Sequence, residues 1–65
     1  MPYVQITWLE GRSVDQKRKI AKRIADALME EGKASAEHIQ ITFQDLPATS
    51  YALAGALVAD LKPEH

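Results

Sequence analysis

Four residues of this 65-residue chain have the type and placement to do chemistry: Pro2, Arg12, Gln40 and Tyr51. Pro2 directly follows Met1, and a small second residue such as proline permits removal of that methionine. The nitrogen of Pro2 would then be a free secondary amine on a rigid ring. An α-amino group has a reference pKa of about 7.7–8.0, and a prolyl amine is somewhat more basic. Apolar surroundings or a nearby cation favour the neutral amine and make it a usable base near neutral pH. With Met1 attached the same nitrogen is an amide, and Pro2 only starts a strand, where its missing N–H costs little. Arg12 stands just before a helix N-cap and adds a cation to the positive helix end, an arrangement that can hold a carboxylate or phosphate. The plainer reading of Arg12 is an exposed turn arginine. Tyr51 either lines a pocket or covers a core edge, and Gln40 either meets a ligand or is a neutral outward strand residue.

Composition removes most other chemistries. Lys plus Arg number 8 against 9 Asp plus Glu, so the net charge of −1 carries no polycationic footprint for nucleic acid or an anionic membrane. Zero cysteines exclude a disulfide framework, a thiolate zinc site and a cysteine nucleophile. Two histidines, His38 and His65, are too few for a metal site without several supporting carboxylates. The sequence contains no phosphate-cradling glycine loop, paired-histidine motif or nucleophile elbow. At 46% hydrophobic and 26% charged, the chain reads as an ordinary soluble domain. No apolar run approaches membrane-spanning length and no charged-then-apolar leader opens it, so a cytoplasmic location is expected.

The elements that must hold these residues follow from periodicity. Residues 3–9 alternate Val4, Ile6 and Trp8 with Tyr3, Gln5 and Thr7, which predicts a strand. Glu10-Gly11-Arg12 breaks it. Ser13 and Gln16 form a capping box, Asp15 suits the first turn, and a helix is predicted over 14–31. Its apolar stripe is Ile20, Ile24 and Leu28, widened by Ala21, Ala25 and Ala27; Lys17, Arg18, Lys19, Lys22, Arg23 and Asp26 read as its solvated side. Gly32 is placed at C′. A second strand is predicted over 38–44, with Ile39, Ile41 and Phe43 on one face, and Pro47 ends the segment. Residues 48–65 offer turn formers and small residues, then a short helix or an extended arm over 56–61, so the unit is expected to close with a short C-terminal hairpin or arm; Pro63 and the polar end are expected to fray.

Strand, helix, strand gives an α/β (α+β) fold: a single βαβ unit with a parallel two-stranded sheet, one domain over 1–65. The predicted helix rises about 27 Å and the strand about 23 Å, so the helix returns the chain to the end where it began. Two strands leave both edges open, and cores below about 70–80 residues are marginal. Without disulfides, oligomerisation is the expected remedy.

The order of these features resembles the small 4-oxalocrotonate tautomerase family. Pro2, the run Leu9-Glu10-Gly11-Arg12-Ser13, then Asp15-Gln16-Lys17, and Tyr51-Ala52-Leu53-Ala54-Gly55 carry the resemblance, which extends from Pro2 to about Leu61. It implies a homo-oligomer, a hexamer built as a trimer of dimers, with active sites at subunit junctions and no cofactor or metal. It implies that Pro2, freed of Met1, is the general base moving a proton between enol and keto forms of a 2-oxo acid. Arg12 matches the arginine that engages substrate carboxylate, and Tyr51 takes the place of a pocket aromatic, commonly phenylalanine. The family's second active-site arginine is replaced by Gln40, which can donate a hydrogen bond but not a charge-assisted pair. Two other readings stay open on sequence: a hydratase or dehalogenase of the same superfamily acting on an unsaturated acid, and a non-catalytic oligomeric binding module.

Independently of the family, Pro2 and Arg12 lie at opposite ends of a seven-residue strand, roughly 25 Å apart on strand rise. An arginine side chain cannot span that gap. If both serve one site, they come from different subunits.

Overall fold

The computed structural model describes residues 1–61. The expected fraying around Pro63 lies outside them. Strand β1 (Tyr3–Leu9) leads to helix α1 (Val14–Glu30), a short 3-10 turn over Ala36–His38, and strand β2 (Gln40–Leu46). β1 and β2 pair in parallel, with Tyr3 opposite Gln40 and Leu9 opposite Leu46. The chain ends in a miniature antiparallel hairpin, β3 (Ala52–Leu53) and β4 (Ala56–Leu57), flanked by 3-10 turns over Ala48–Ser50 and Val58–Asp60.

Local chemistry accounts for each boundary. Gly11, at φ +135°, lets the chain turn sharply out of β1. Ser13 then caps α1 as its spacing predicts: the Gln16 N–H donates to Ser13 Oγ at 3.1 Å, and the Ser13 N–H donates to Gln16 Oε1 at 2.8 Å. The helix ends one residue earlier than predicted, and the left-handed residue is Lys33 (φ 58°) rather than Gly32. Gly32 is required for room instead, because a Cβ there would sit 2.8 Å from the Leu28 carbonyl oxygen. The hairpin turns on Ala54 (φ 52°) and Gly55 (φ 85°), the two positive-φ residues of a two-residue type I′ loop.

β2 begins at Gln40, two residues later than the predicted 38–44. The 3-10 turn holds His38, and Ile39 donates its N–H to the Ala36 carbonyl at 3.2 Å, so the ladder opens only where the Gln40 N–H reaches the Pro2 carbonyl at 3.1 Å. The apolar alternation itself is as predicted: Val4, Ile6, Trp8, Ile41 and Phe43 are half-buried on one sheet face. The other face is an exposed polar ladder in which Gln5 donates to Gln44 Oε1 at 3.2 Å and Tyr3 Oη lies 3.2 Å from Thr42 Oγ1. On α1 the stripe is Ile20, Ala21, Ile24, Ala25, Leu28 and Met29. Ala27 is exposed, because the four-residue row from Ala21 through Ala25 continues to Met29.

Among the described residues no side chain is fully buried, and the apolar ones are at best partly covered. Leu53, Leu57 and Leu61 are 55%, 39% and 46% exposed. The radius of gyration is 15.2 Å, against about 11 Å expected for a compact chain of this length. The protomer is an extended half of a core. Among the described residues no helix is long and apolar enough to cross a membrane.

Candidate active site

The four candidate residues fall into two groups at opposite ends of β1. Pro2 is half-buried and, with Met1 attached, borders a cavity of about 450 Å³ at the C-terminal end of α1, lined also by Met1, Leu28, Lys33, Ser35 and His38. Arg12 and Tyr51 border a separate cavity of about 290 Å³, lined by Trp8, Leu9, Leu53 and Val58. A larger groove along α1, between Gln16 and Asp26, holds none of the four. One protomer therefore does not bring Pro2 and Arg12 together.

Gln40 is joined to Pro2 by backbone alone. Its N–H meets the Pro2 carbonyl, while its side chain belongs to the exposed row it shares with Thr42 and Gln44. It is not among the residues lining the Pro2 cavity. Lys33 and His38 are, and the sequence reading passed over both. The available signal was topological: a chain that returns along α1 to the start of β1 must place the loop after the helix beside Pro2.

The Arg12 end is more heavily built. The guanidinium carbon of Arg12 lies 4.3 Å from the Trp8 ring centroid, and Arg12 Nη1 donates to the Leu9 carbonyl at 2.9 Å. Trp8 in turn stacks on Phe43, with centroids 5.4 Å apart and planes 23° from parallel. Its indole N–H donates to Asp45 Oδ1 at 2.7 Å, and Lys17 Nζ donates to Asp45 Oδ2. The hydrogen bond from Lys17, then that from Trp8, holds the Asp45 carboxyl below its usual range; the positive charges of Lys17 and Arg12 add to this, and partial loss of water acts the other way. Lys17 thus departs from the solvated helix side where the sequence placed it. Asp45 follows Phe43 on the helix-facing row of β2, and a carboxylate in an apolar row calls for a partner, which was the signal for this cluster.

Tyr51 is half-buried, and its carbonyl accepts the Val58 N–H at 2.8 Å, which ties the hairpin to this cavity. Leu53 and Leu61 also line it and remain exposed, so its outer wall is open.

Comparison with known proteins places this architecture. The family model described as "Tautomerase enzyme" matches residues 2–61. The chain is 36% identical over 62 residues to a 2-hydroxymuconate tautomerase of Bacillus subtilis (strain 168), covering 95% of this chain and 100% of that one. It is 33% identical over 61 residues to a 2-hydroxymuconate tautomerase of Comamonas testosteroni, covering 94% and 97%. Among solved structures it matches YwhB, a homologue of 4-oxalocrotonate tautomerase, with a TM-score of 0.88 at 34% identity over 94% of this chain and 100% of that one. It also matches a chain of a heterohexameric 4-oxalocrotonate tautomerase from Chloroflexus aurantiacus J-10-fl, with a TM-score of 0.85 at 29% identity over 95% and 100%.

Proposed function

Because this chain belongs to the tautomerase family, we propose that it interconverts the enol and keto forms of a 2-oxo acid in a site shared between subunits, with Pro2 as general base once Met1 is removed. The observation that carries the shared site is the separation of Pro2 and Arg12 into two cavities at opposite ends of β1.

The whole chain, residues 1–65, acts as a single domain, and the assembly is a homohexamer read as a trimer of dimers. Joining copies places the Pro2 cavity of one protomer against the Arg12 cavity of another. Exposed apolar side chains at the Arg12 end, among them Leu53 and Leu61, supply the surface that such joining covers.

In the reaction, neutral Pro2 takes the hydroxyl proton of a 2-hydroxy-dienoate or aryl enolpyruvate. The oxygen becomes the carbonyl, the π pair of the enol double bond moves out to carbon, through the second double bond where the substrate is a dienoate, and the protonated Pro2 gives its proton to that carbon. No electron leaves or enters, so the step asks for no cofactor. Arg12 binds the substrate carboxylate and Tyr51 walls the pocket. Lys33 lines the same cavity as Pro2. Gln40 hydrogen-bonds the oxygen end. General base catalysis of this kind contributes about 10²–10⁴-fold.

The substrate is an enol 2-oxo acid of the 2-hydroxymuconate or phenylenolpyruvate type, with little preference for the diacid. The diacid 2-hydroxymuconate presents a second anion, and Gln40 meets it without a charge.

The test uses two chemically synthesised forms of the chain, one starting at Met1 and one at Pro2, each verified by intact mass. Ketonisation of phenylenolpyruvate is expected only from the Pro2 form, with kcat/KM of the Met1 form lower by at least about 10²-fold. Equal activity in the two forms would remove Pro2 as the base.

A further inference from the structure

We propose that Trp8 is a positioning residue for the substrate carboxylate: its indole face aims the Arg12 guanidinium, and Asp45 with Lys17 fixes the indole. The proposal rests on the reading of Arg12 as the carboxylate-binding residue and supplies the device that orients it.

Arg12 follows a glycine turn and is exposed, a setting in which a long side chain samples many rotamers. Two contacts restrict it. The Trp8 ring lies 4.3 Å from the guanidinium carbon, which holds the group over the indole face. The Leu9 carbonyl accepts one N–H at 2.9 Å, which fixes its rotation in that plane. The remaining donors of the five-donor fork are left for a ligand in the cavity that Arg12 shares with Tyr51. A guanidinium already pinned loses less freedom when it grips a carboxylate, and so binds it more tightly.

The platform is fixed in turn. Phe43 stacks against the indole, and the indole N–H is held by Asp45 at 2.7 Å. The second oxygen of Asp45 is taken by Lys17. This ion pair differs from the others on α1: the Lys17 and Asp45 side chains are 26% and 31% exposed, whereas those of the other three pairs are 42–77% exposed. With one Asp45 oxygen held by Lys17 and the other by the indole N–H, the carboxylate is fixed at both ends and orients the ring. The chain of contacts runs Lys17, Asp45, Trp8, Arg12 and crosses from α1 through β2 and β1 to the turn.

If Trp8 served only to fill the apolar face of the sheet, its loss would act whether or not Arg12 is present. A double-mutant cycle separates the two roles. Steady-state ketonisation of phenylenolpyruvate is measured for the Pro2-terminated wild type, Arg12→Ala, Trp8→Leu, Trp8→Phe and Trp8→Leu/Arg12→Ala, each checked for unchanged assembly by size-exclusion chromatography. Trp8→Leu is expected to raise KM by about 5-fold with a smaller change in kcat, Trp8→Phe to recover most of that loss, and the double variant to match Arg12→Ala alone. A defect from Trp8→Leu that adds in full to that of Arg12→Ala overturns the positioning role only. A wild-type KM in Arg12→Ala overturns the carboxylate reading and this proposal with it.

Should Trp8→Leu fail to assemble, Asp45→Ala carries the test. It is expected to raise KM about 3-fold, with Asp45→Asn, which keeps an acceptor for the indole N–H, restoring it. Trp8 is the chain's one tryptophan, so its emission reads the site directly. Phenylacetate, an unreactive carboxylate, is expected to change that emission saturably in the wild type and not in Arg12→Ala. An Asp45→Ala variant with wild-type KM and an unchanged phenylacetate titration overturns the proposal.

Discussion

Pro2 and Arg12 bracket one strand. Pro2 gives its carbonyl to the first ladder hydrogen bond, from Gln40, and Arg12 lies beyond the last, where the Glu10 N–H reaches the Leu46 carbonyl at 2.9 Å. The full length of β1 separates a candidate base from a candidate carboxylate anchor, and each borders a cavity of its own. Complementation tests the consequence. Subunits starting at Met1, with Pro2 blocked as an amide, are mixed with Arg12→Ala subunits under conditions where exchange is verified by mass. A fraction of the sites then combines a free Pro2 with an intact Arg12, and activity is expected to return. Proven exchange with no recovery would count against shared sites.

Substrate choice follows from Gln40. Hydrogen bonds to charged groups contribute roughly 1.5–3 kcal/mol, so glutamine in place of arginine costs about 10–100-fold on a second carboxylate. Wild type is expected to show little preference for 2-hydroxymuconate over phenylenolpyruvate, and Gln40→Arg to raise the ratio of their kcat/KM values by about 10-fold or more. A strong wild-type preference for the diacid, unmoved by Gln40→Arg, would assign the second charge elsewhere, with Lys33 the first residue to replace.

Asp45 sets an acid limit. Its folded pKa lies below the ordinary carboxylate value because Lys17 and Trp8 hydrogen-bond the ionised form. The stabilisation is therefore complete above the unfolded value, about 3.9, and is lost as pH falls through the depressed folded value. Trp8 emission at fixed protomer concentration is expected to change in that acid window, and Asp45→Asn is expected to remove the transition. A wild-type transition centred above pH 4 would belong to another group.

The absence of any fully buried side chain among the described residues predicts that stability depends on assembly. Thermal midpoints followed by circular dichroism are expected to rise with protein concentration, and dilution is expected to remove helix signal and activity together. A midpoint constant over about 100-fold dilution would show that the protomer folds alone.

The fold was legible because its signals are local. The alternation of Val4, Ile6 and Trp8 and the reciprocal Ser13–Gln16 cap each depend on neighbours a few residues away. The start of β2 was not, because Ile39 keeps the apolar alternation whether or not it is paired, and pairing is decided by the distant Pro2 carbonyl. The same limit hid the Arg12 platform. Lys17 and Asp45 lie 28 residues apart in sequence, and only the register that sets Trp8 opposite Asp45 joins them. The remaining candidates, Pro2, Gln40 and Tyr51, were singled out by residue type and placement and given their roles by a resemblance in residue order, since none carries a chemical signature strong enough to stand alone.

The half-built core has a consequence for how long a new chain survives. Until copies meet, Leu53, Leu57 and Leu61 and both sheet edges are open to any protease or chaperone that recognises unfolded segments. Capture by a partner copy is at least second order in protomer concentration, whereas proteolysis is first order. Below some rate of synthesis most chains are destroyed before pairing; above it nearly all are rescued. On the proposed assembly, the steady-state level of the protein is expected to rise more steeply than in proportion to its expression.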